Sequence, residues 1–205
     1  MTPTPPRTFV SRGGQKLQHA FSSFAFDVTG HRCADFGCSV GGFTDCLLQH
    51  GAASVTAVDT AWGILAWSLR SDDRVHVMER TNVLHAPVPE KDVSRIVIDA
   101  GWTPQSKVLP VAMKWLSGGG EIVTLIKPHY EAAGTGHKAS LEKGQLSDSA
   151  AQRVCDLVLK QIAAMGIEVI DSAISPIRGS KSSKRGAGNT EYLSHLRVRA
   201  VETSA

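Results

Sequence analysis

The chain has no C-x-x-C pair and no histidines at zinc-finger spacing, so a cysteine-based metal module does not organise it. Its four cysteines, at 33, 38, 46 and 155, read instead as buried thiols in a reducing compartment. No run approaches the roughly 18 apolar residues that a membrane helix needs, and the N-terminus carries no apolar signal core. Both absences point to a cytoplasmic protein. The G-x-G-x-x-G pattern is missing too, which removes the natural reading of a nicotinamide cofactor. An excess of charge of one sign is lacking: with 22 Lys and Arg against 19 Asp and Glu, the net +3 is only a mild lean toward an anionic partner. No internal repeat is present. At 205 residues, one α/β domain with a large core fits, and two ample domains do not.

What is present begins with Asp35-Phe36-Gly37-Cys38-Ser39-Val40-Gly41-Gly42-Phe43. This stretch closes the apolar run Cys33, Ala34, Phe36 and opens the amphipathic one Phe43, Cys46, Leu47, Leu48. Strand, glycine-rich turn and helix in that order let backbone approach a nucleotide-like ligand closely. Asp59 then ends a second apolar run, Val55 to Val58, at the spacing where an acid meets ribose hydroxyls, about 20 residues after the glycines. The glycine pattern suits a cofactor with a ribose and an adenine but no pyrophosphate, and S-adenosylmethionine is the obvious one. The plainer reading is an ordinary strand-to-helix turn.

Residues 1–9 are expected to be a disordered lead rich in proline, and 200–205 a tail. From Ser11 to Phe24 the positions Leu17, Ala20, Phe21 and Phe24 follow helical spacing. Strands are then predicted at 31–36, 54–59, 74–78, 94–99, 120–126 and 167–173, and helices at 42–50, 63–70, 106–116 and 148–165. Such alternation predicts a mainly parallel sheet with helices on both faces. A last strand near 190–198 follows without a crossover helix and is therefore expected to be antiparallel.

Ligands of such sheets lie beyond the carboxyl ends of the strands. Four of those ends carry polar groups: Asp35, Asp59, Asp99 after Arg95-Ile96-Val97-Ile98, and Lys127 after Ile122 to Ile126. A lysine closing so apolar a strand is either an exposed tip or a working residue. Asp99 on the neighbouring strand would offset the cost of burying it. By themselves, Lys16 reads as part of a solvated helix face and Glu191 as a half-exposed strand residue.

Five segments change that weighting: Ser11-Arg12-Gly13-Gly14-Gln15-Lys16-Leu17, Gly41-Gly42-Phe43-Thr44-Asp45, Met78-Glu79-Arg80-Thr81-Asn82-Val83, Ile126-Lys127-Pro128 and Asn189-Thr190-Glu191-Tyr192-Leu193. Their types and order resemble the FtsJ-type ribose 2′-O-methyltransferases, most closely the haemolysin A branch, from about Val10 to Val198. The resemblance implies a Rossmann-like class I methyltransferase fold, seven-stranded and mostly parallel with an antiparallel last strand, over residues 10–199. It implies a Lys-Asp-Lys-Glu quartet at the methyl-transfer centre, matching Lys16, Asp99, Lys127 and Glu191. It assigns S-adenosylmethionine to Asp35, Gly37, Cys38, Ser39, Gly41, Gly42, Phe43, Asp59, Asn82 and Asp99. The implied reaction is 2′-O-methylation of a ribose in structured RNA, most naturally ribosomal, with no metal. Rival readings are methylation of a non-RNA acceptor and a non-catalytic binder of cofactor or RNA.

A ribose hydroxyl must lose its proton as it attacks, and Lys127 is the residue expected to act as base or to steer the oxygen. Acting as base at neutral pH requires a lowered pKa, for which burial and the second ammonium at Lys16 are the expected causes. Arg178, Lys181, Lys184 and Arg185 form a basic loop that reads equally as a phosphate surface, extended by Arg7, Arg12, His129 and Lys138, or as a solvated charged loop. Trp62, Trp102 and Tyr130 are candidates to stack on a base. Trp67 falls in the apolar pattern Ile64, Leu65, Trp67, Leu69 and is expected in the core. Three departures stand out. Relatives of this branch usually carry a small RNA-binding domain before the S-R-G-G motif, where this chain has a few proline-rich residues. Ala100-Gly101-Trp102 replaces a Ser-Phe pair usual after the aspartate, and Cys38 and Val40 stand where Ala and Thr are usual.

Overall fold

A computed structural model describes residues 8–90, 93–116, 119–179 and 188–200. Lys181, Lys184 and Arg185 lie outside the described residues, as do the lead before Thr8 and the tail from Val201. The chain runs α1 (Arg12–Ser23), β1 (Arg32–Phe36), α2 (Gly42–Gln49), β2 (Ser54–Val58), α3 (Trp67–Arg70), β3 (Val75–Met78), β4 (Arg95–Ile98), α4 (Gln105–Trp115), β5 (Gly120–Ile126), α5 (Pro128–Glu131), α6 (Asp148–Ala164), β6 (Glu168–Ile174) and β7 (Tyr192–Val198). The strands form one seven-stranded sheet in the order β3-β2-β1-β4-β5-β7-β6. β7 pairs antiparallel with both β5 and β6, and the other pairings are parallel. The predicted sheet and its reversed last strand are therefore present. Among the described residues no helix is long and apolar enough to cross a membrane.

The period-two alternation of each central strand divides the core between two faces. On β1, Ala34 and Phe36 join the cluster that includes Val108 and Ala112 of α4 and Val154, Val158 and Ile162 of α6. Cys33, facing the other way, joins Leu17 and Ala20 of α1 and Phe43, Cys46 and Leu47 of α2. Near-continuous apolar runs such as Ile96-Val97-Ile98 are what a strand covered on both sides requires. All four cysteines are buried and free.

Two local expectations fail, both near α3. The predicted helix at 63–70 is confined to its last turn, and Trp67 is 77% exposed rather than part of the core. Leu65 and Leu69 supply the buried contacts there, closing over Gly41. Trp67 opens the short helix between them and points outward. A four-residue helix has no second turn to commit every apolar side chain to one face.

Trp115 closes α4 with 1% exposure and meets Phe36 of β1 edge-on, ring centroids 4.9 Å apart at 88°. Trp115→Ala should cost about 3–5 kcal/mol through lost burial and a residual cavity. A urea denaturation midpoint checks this, and a loss below about 1 kcal/mol would mean that α4 repacks freely.

Candidate active site

Three cavities open beyond the carboxyl ends of β1, β2, β4 and β5, and Asp99 borders all three. The first is a cleft of about 560 Å³ whose lining includes Gly37, Ser39, Asp59, Asn82, Trp102 and Lys127. The second, about 260 Å³, lies between the amino ends of α1 and α2 and is bordered by Arg12, Lys16, Cys38, Gly42, Phe43 and Arg178. The third, about 230 Å³, is walled by Lys16, Lys127, His129, Tyr130, Asn189 and Glu191, with Gly179 at its edge.

The first turn after β1 is tied down by its own backbone. The Gly37 and Cys38 N–H groups both donate to Val58 O, at 2.8 and 3.1 Å. Gly37 takes φ +91°, and a Cβ there would stand 2.7 Å from Asp99 O, so only glycine lets this turn pass against the end of β4. A Cβ on Gly42 would overlap Ser11 Oγ at 2.2 Å and crowd the Gly14 nitrogen at 2.8 Å. The bare Gly42 thus lets α1 and α2 meet at their amino ends. Ser11 caps α1, its Oγ accepting from Gly13 N–H at 3.3 Å. The S-R-G-G-x-K motif is therefore first a cap and a helix contact; its product is Lys16, held one turn in and facing the end of the sheet.

Asp59 follows β2, and its two oxygens accept from Ser39 N–H and Ala61 N–H, both at 2.8 Å. Each oxygen keeps a further acceptor direction, as ribose hydroxyls require. Asn82 caps a 3-10 turn at Val83–His85 by accepting from Leu84 N–H at 3.0 Å. Asp35 behaves differently. It is fully buried, accepts from Thr44 Oγ1–H at 2.7 Å through Oδ2, and leaves Oδ1 without a hydrogen-bond partner. It lies beneath the loop rather than among the cavity residues. Burial raises its pKa to about 7, against the Thr44 hydrogen bond and with help from Asp99 and Asp59. Cys38 borders the second cavity, with its thiol pushed well up by burial.

Lys127 Nζ lies 2.5 Å from Asp99 Oδ1, and Lys16 Nζ lies 2.5 Å from Glu191 Oε2. The register explains the meeting. β5 and β7 pair from Gly120↔Val198 to Ile126↔Tyr192, so the next step beyond that end brings Lys127 level with Glu191. The four residues that the resemblance groups together thus come together in space. One expectation is overturned. Burial does press the Lys127 pKa down, but Asp99, its hydrogen bond and the Glu191 carboxylate outweigh it, and the net shift is upward. Two carboxylates beside one ammonium favour the charged form more than burial disfavours it. Glu191 is raised, chiefly by burial, despite Lys16 and Lys127.

His129 borders the third cavity as a neutral ring: burial, then the Lys127 charge, lower its pKa to about 4. Its ring packs 4.0 Å from that of Tyr130, and Trp102, 82% exposed at φ +64°, lies 4.8 Å beyond. Trp62 stands elsewhere, 66% exposed with the Arg80 guanidinium 4.6 Å over its ring. Arg12 borders the second cavity. Arg178 does too, but its guanidinium is already engaged by Asp148, at 3.0 and 2.8 Å. Ser11 and Asn189 border the cavities within motifs that single out Lys16 and Glu191 alone; a cap position and a strand-entry amide were the overlooked signals.

A mostly parallel sheet with its last strand reversed, and a divided cleft at its carboxyl edge, define a Rossmann-like methyltransferase fold. A profile of the FtsJ-like methyltransferase family matches residues 9–197, and the chain belongs to that family. It is 34% identical over 193 residues to Hemolysin A of Brachyspira hyodysenteriae, covering 92% of this chain and 76% of that one. It is 37% identical over 197 residues to the 16S/23S rRNA (cytidine-2′-O)-methyltransferase TlyA of Mycobacterium tuberculosis, covering 94% and 69%. The crystal structure of a candidate hemolysin from Lactococcus lactis superposes with a TM-score of 0.82 at 38% identity, covering 92% of this chain and 88% of that one.

The raised Asp35 carboxyl couples stability to pH. It holds its proton more tightly folded than unfolded, so its contribution is complete below 3.8 and is lost as the pH rises through about 7. Asp35→Asn, which cannot ionise, should gain on the wild type in melting temperature between about pH 4 and pH 8. Parallel melting curves for the two proteins across that range would contradict the assignment.

Proposed function

We propose that this protein is an S-adenosylmethionine-dependent enzyme that methylates a ribose 2′-hydroxyl in ribosomal RNA. The observation that carries the reading is the meeting of three cavities at Asp99, with the Lys127 ammonium 2.5 Å away. One cavity suits a nucleoside, one the amino-acid end of the cofactor, and the third an incoming hydroxyl. The rRNA (cytidine-2′-O)-methyltransferase activity named for a relative 37% identical supplies the acceptor class.

The residues fit the cofactor. Gly37 and Gly42 line the cavities, and their lack of a side chain lets the loop between them pack against Asp99 and the start of α1. Asp59 offers acceptors for the ribose diol, Asn82 stands where an adenine edge would lie, and the Asp99 carboxylate suits a cationic centre. Gly41 and Ser39 shape the same loop, and Cys38 and Phe43 add apolar wall; Asp35 acts from beneath by fixing Thr44. When bound, the cofactor supplies an electrophilic methyl on a positively charged sulfur.

The protein's part is orientation and proton management. Lys127, held as an ammonium, donates a hydrogen bond to the ribose oxygen and aims its lone pair at the cavity junction. The Asp99–Lys127 pair carries one proton fewer than it can hold, so it can take the proton that the hydroxyl releases. Lys16 and Glu191 bracket the same cavity and balance its charge. Effective concentrations from such alignment can be large. Arg12 supplies the phosphate side, and Trp102 with Tyr130 a stacking surface.

Lys127→Ala should lower methyl transfer by about 10²–10⁴-fold while leaving cofactor binding in place. Labelled methyl from S-adenosylmethionine, offered to total RNA and to ribosomal subunits, reads this directly. Label at an alkali-resistant 2′-O position that disappears with the variant supports the reading. Tight cofactor binding without transfer to any RNA would turn it toward another acceptor or a binding role.

A further inference from the structure

Both limbs of the segment between β6 and β7 are fastened by one carboxylate on α6. Asp148 Oδ1 accepts from Thr190 Oγ1–H at 2.5 Å and from Arg178 Nη1 at 3.0 Å, while Oδ2 accepts from Arg178 Nη2 at 2.8 Å. Arg178 lies on the limb that leaves β6. Thr190 lies on the limb that enters β7, immediately before Glu191. The limbs also bond to each other, Gly179 N–H donating to Asn189 O at 2.9 Å. The Asn189 side chain accepts from Leu146 N–H at 3.1 Å and donates to Gly144 O at 3.0 Å, which fastens the second limb to the turn before α6.

These ties converge on the carboxylate that holds Lys16. A Cβ on Gly179 would stand 2.6 Å from Glu191 Oε1, so the first limb lies directly against that group. Ser175 N–H donates to Glu191 O at 2.9 Å, fixing its backbone from β6. Asp148 is not needed to cap its helix, because Ser147 Oγ already accepts from Ala150 N–H at 3.2 Å. Its pair with Arg178 is open to water, with side-chain exposures of 64% and 45%, and exposed pairs of that kind add little stability. What the arrangement supplies is position.

We propose that Asp148 is a positioning residue for methyl transfer: through Thr190 and Arg178 it sets the Glu191 carboxylate, and through Glu191 it sets Lys16 in the hydroxyl-facing cavity. The proposal rests on reading Lys16, Asp99, Lys127 and Glu191 as the methyl-transfer quartet. It adds a residue outside all three cavities and 43 positions before Glu191 in the chain. Displacements near 1 Å in such a constellation can lower turnover by about 10²-fold.

The test uses Asp148→Ala and Thr190→Val, with Thr190→Ser as the conservative variant and Asp156→Ala, on the exposed side of the same helix, as control. Turnover on ribosomal subunits should fall by about tenfold or more in the first two, with KM for S-adenosylmethionine and for RNA within about twofold. Thr190→Ser and Asp156→Ala should stay near wild type. A second readout needs no activity: reductive methylation of Lys16 in the ligand-free protein, followed by mass spectrometry. Lys16 should react slowly in the wild type and several-fold faster in Thr190→Val. Unchanged turnover with Lys16 still shielded overturns the proposal. So does a loss confined to the KM for RNA, which would make Asp148 and Arg178 part of the RNA surface. A wild type that methylates no RNA, yet loses Lys16 shielding in Thr190→Val, would sink the functional reading and leave the positioning of Lys16 supported.

Discussion

Antiparallel pairing of β5 with β7, unbroken from Gly120↔Val198 to Ile126↔Tyr192, brings the amino end of the last strand to the carboxyl edge of the sheet. In a wholly parallel sheet Glu191, which precedes its strand, would lie at the opposite edge from Lys127, which follows its own. Reversal puts both at the same edge, next to Asp99 at the end of β4. The quartet consequently needs no long loops to assemble. Three of its members stand at strand ends, where the backbone is fixed by ladder hydrogen bonds, and Lys16 stands on a helix packed beneath. Rigid elements hold such geometry better than loops do.

Charge makes the arrangement self-consistent. Lys16, Lys127, Asp99 and Glu191 have side-chain exposures between 3% and 21%, where a lone ion would be costly. Two ammoniums and two carboxylates nearly cancel, and each lysine sits 2.5 Å from an acid. That balance has a consequence for the chemistry: Lys127 is held protonated, so orientation of the acceptor oxygen precedes proton removal. His129, beside it, is kept neutral by the same burial and by the Lys127 charge. Asp35 is the counter-example, a carboxyl without a cation, whose pKa rises to about 7.

Much of the fold was legible in the residues. Alternating apolar runs and amphipathic segments mark the strands and most helices, because both sheet faces are covered and both periods are imposed by burial. Tyr192 to Val198 could be assigned as antiparallel because no crossover helix precedes it. Trp67 was not legible. Its apolar neighbours Leu65 and Leu69 do face inward, but the intervening backbone turns in a way that periodicity over so short a span cannot report. Lys16 and Glu191 were visible only through the motifs around them, since nothing in their own neighbourhoods distinguishes them from a solvated helix face and a half-exposed strand. Arg178 looked like a phosphate ligand, and its engagement by Asp148 depends on a helix start 30 positions away.

The sequence by itself determined the alternation of elements, the glycines that allow Gly37 to pass the end of β4 and Gly42 to meet Ser11, and the acids and lysines that end the strands. Those are local matters: steric room, burial period and the need to offset a charge. Only the tertiary structure decided which charge meets which. The partners Lys16–Glu191 and Lys127–Asp99, and the tie from Asp148 to Thr190, join residues between 28 and 175 positions apart. Their distances follow from strand register and helix packing. Pairing is a property of the assembled sheet: the parallel register of β4 and β5 sets Asp99 near Lys127, and the antiparallel register of β7 brings Thr190 and Glu191 to the same edge.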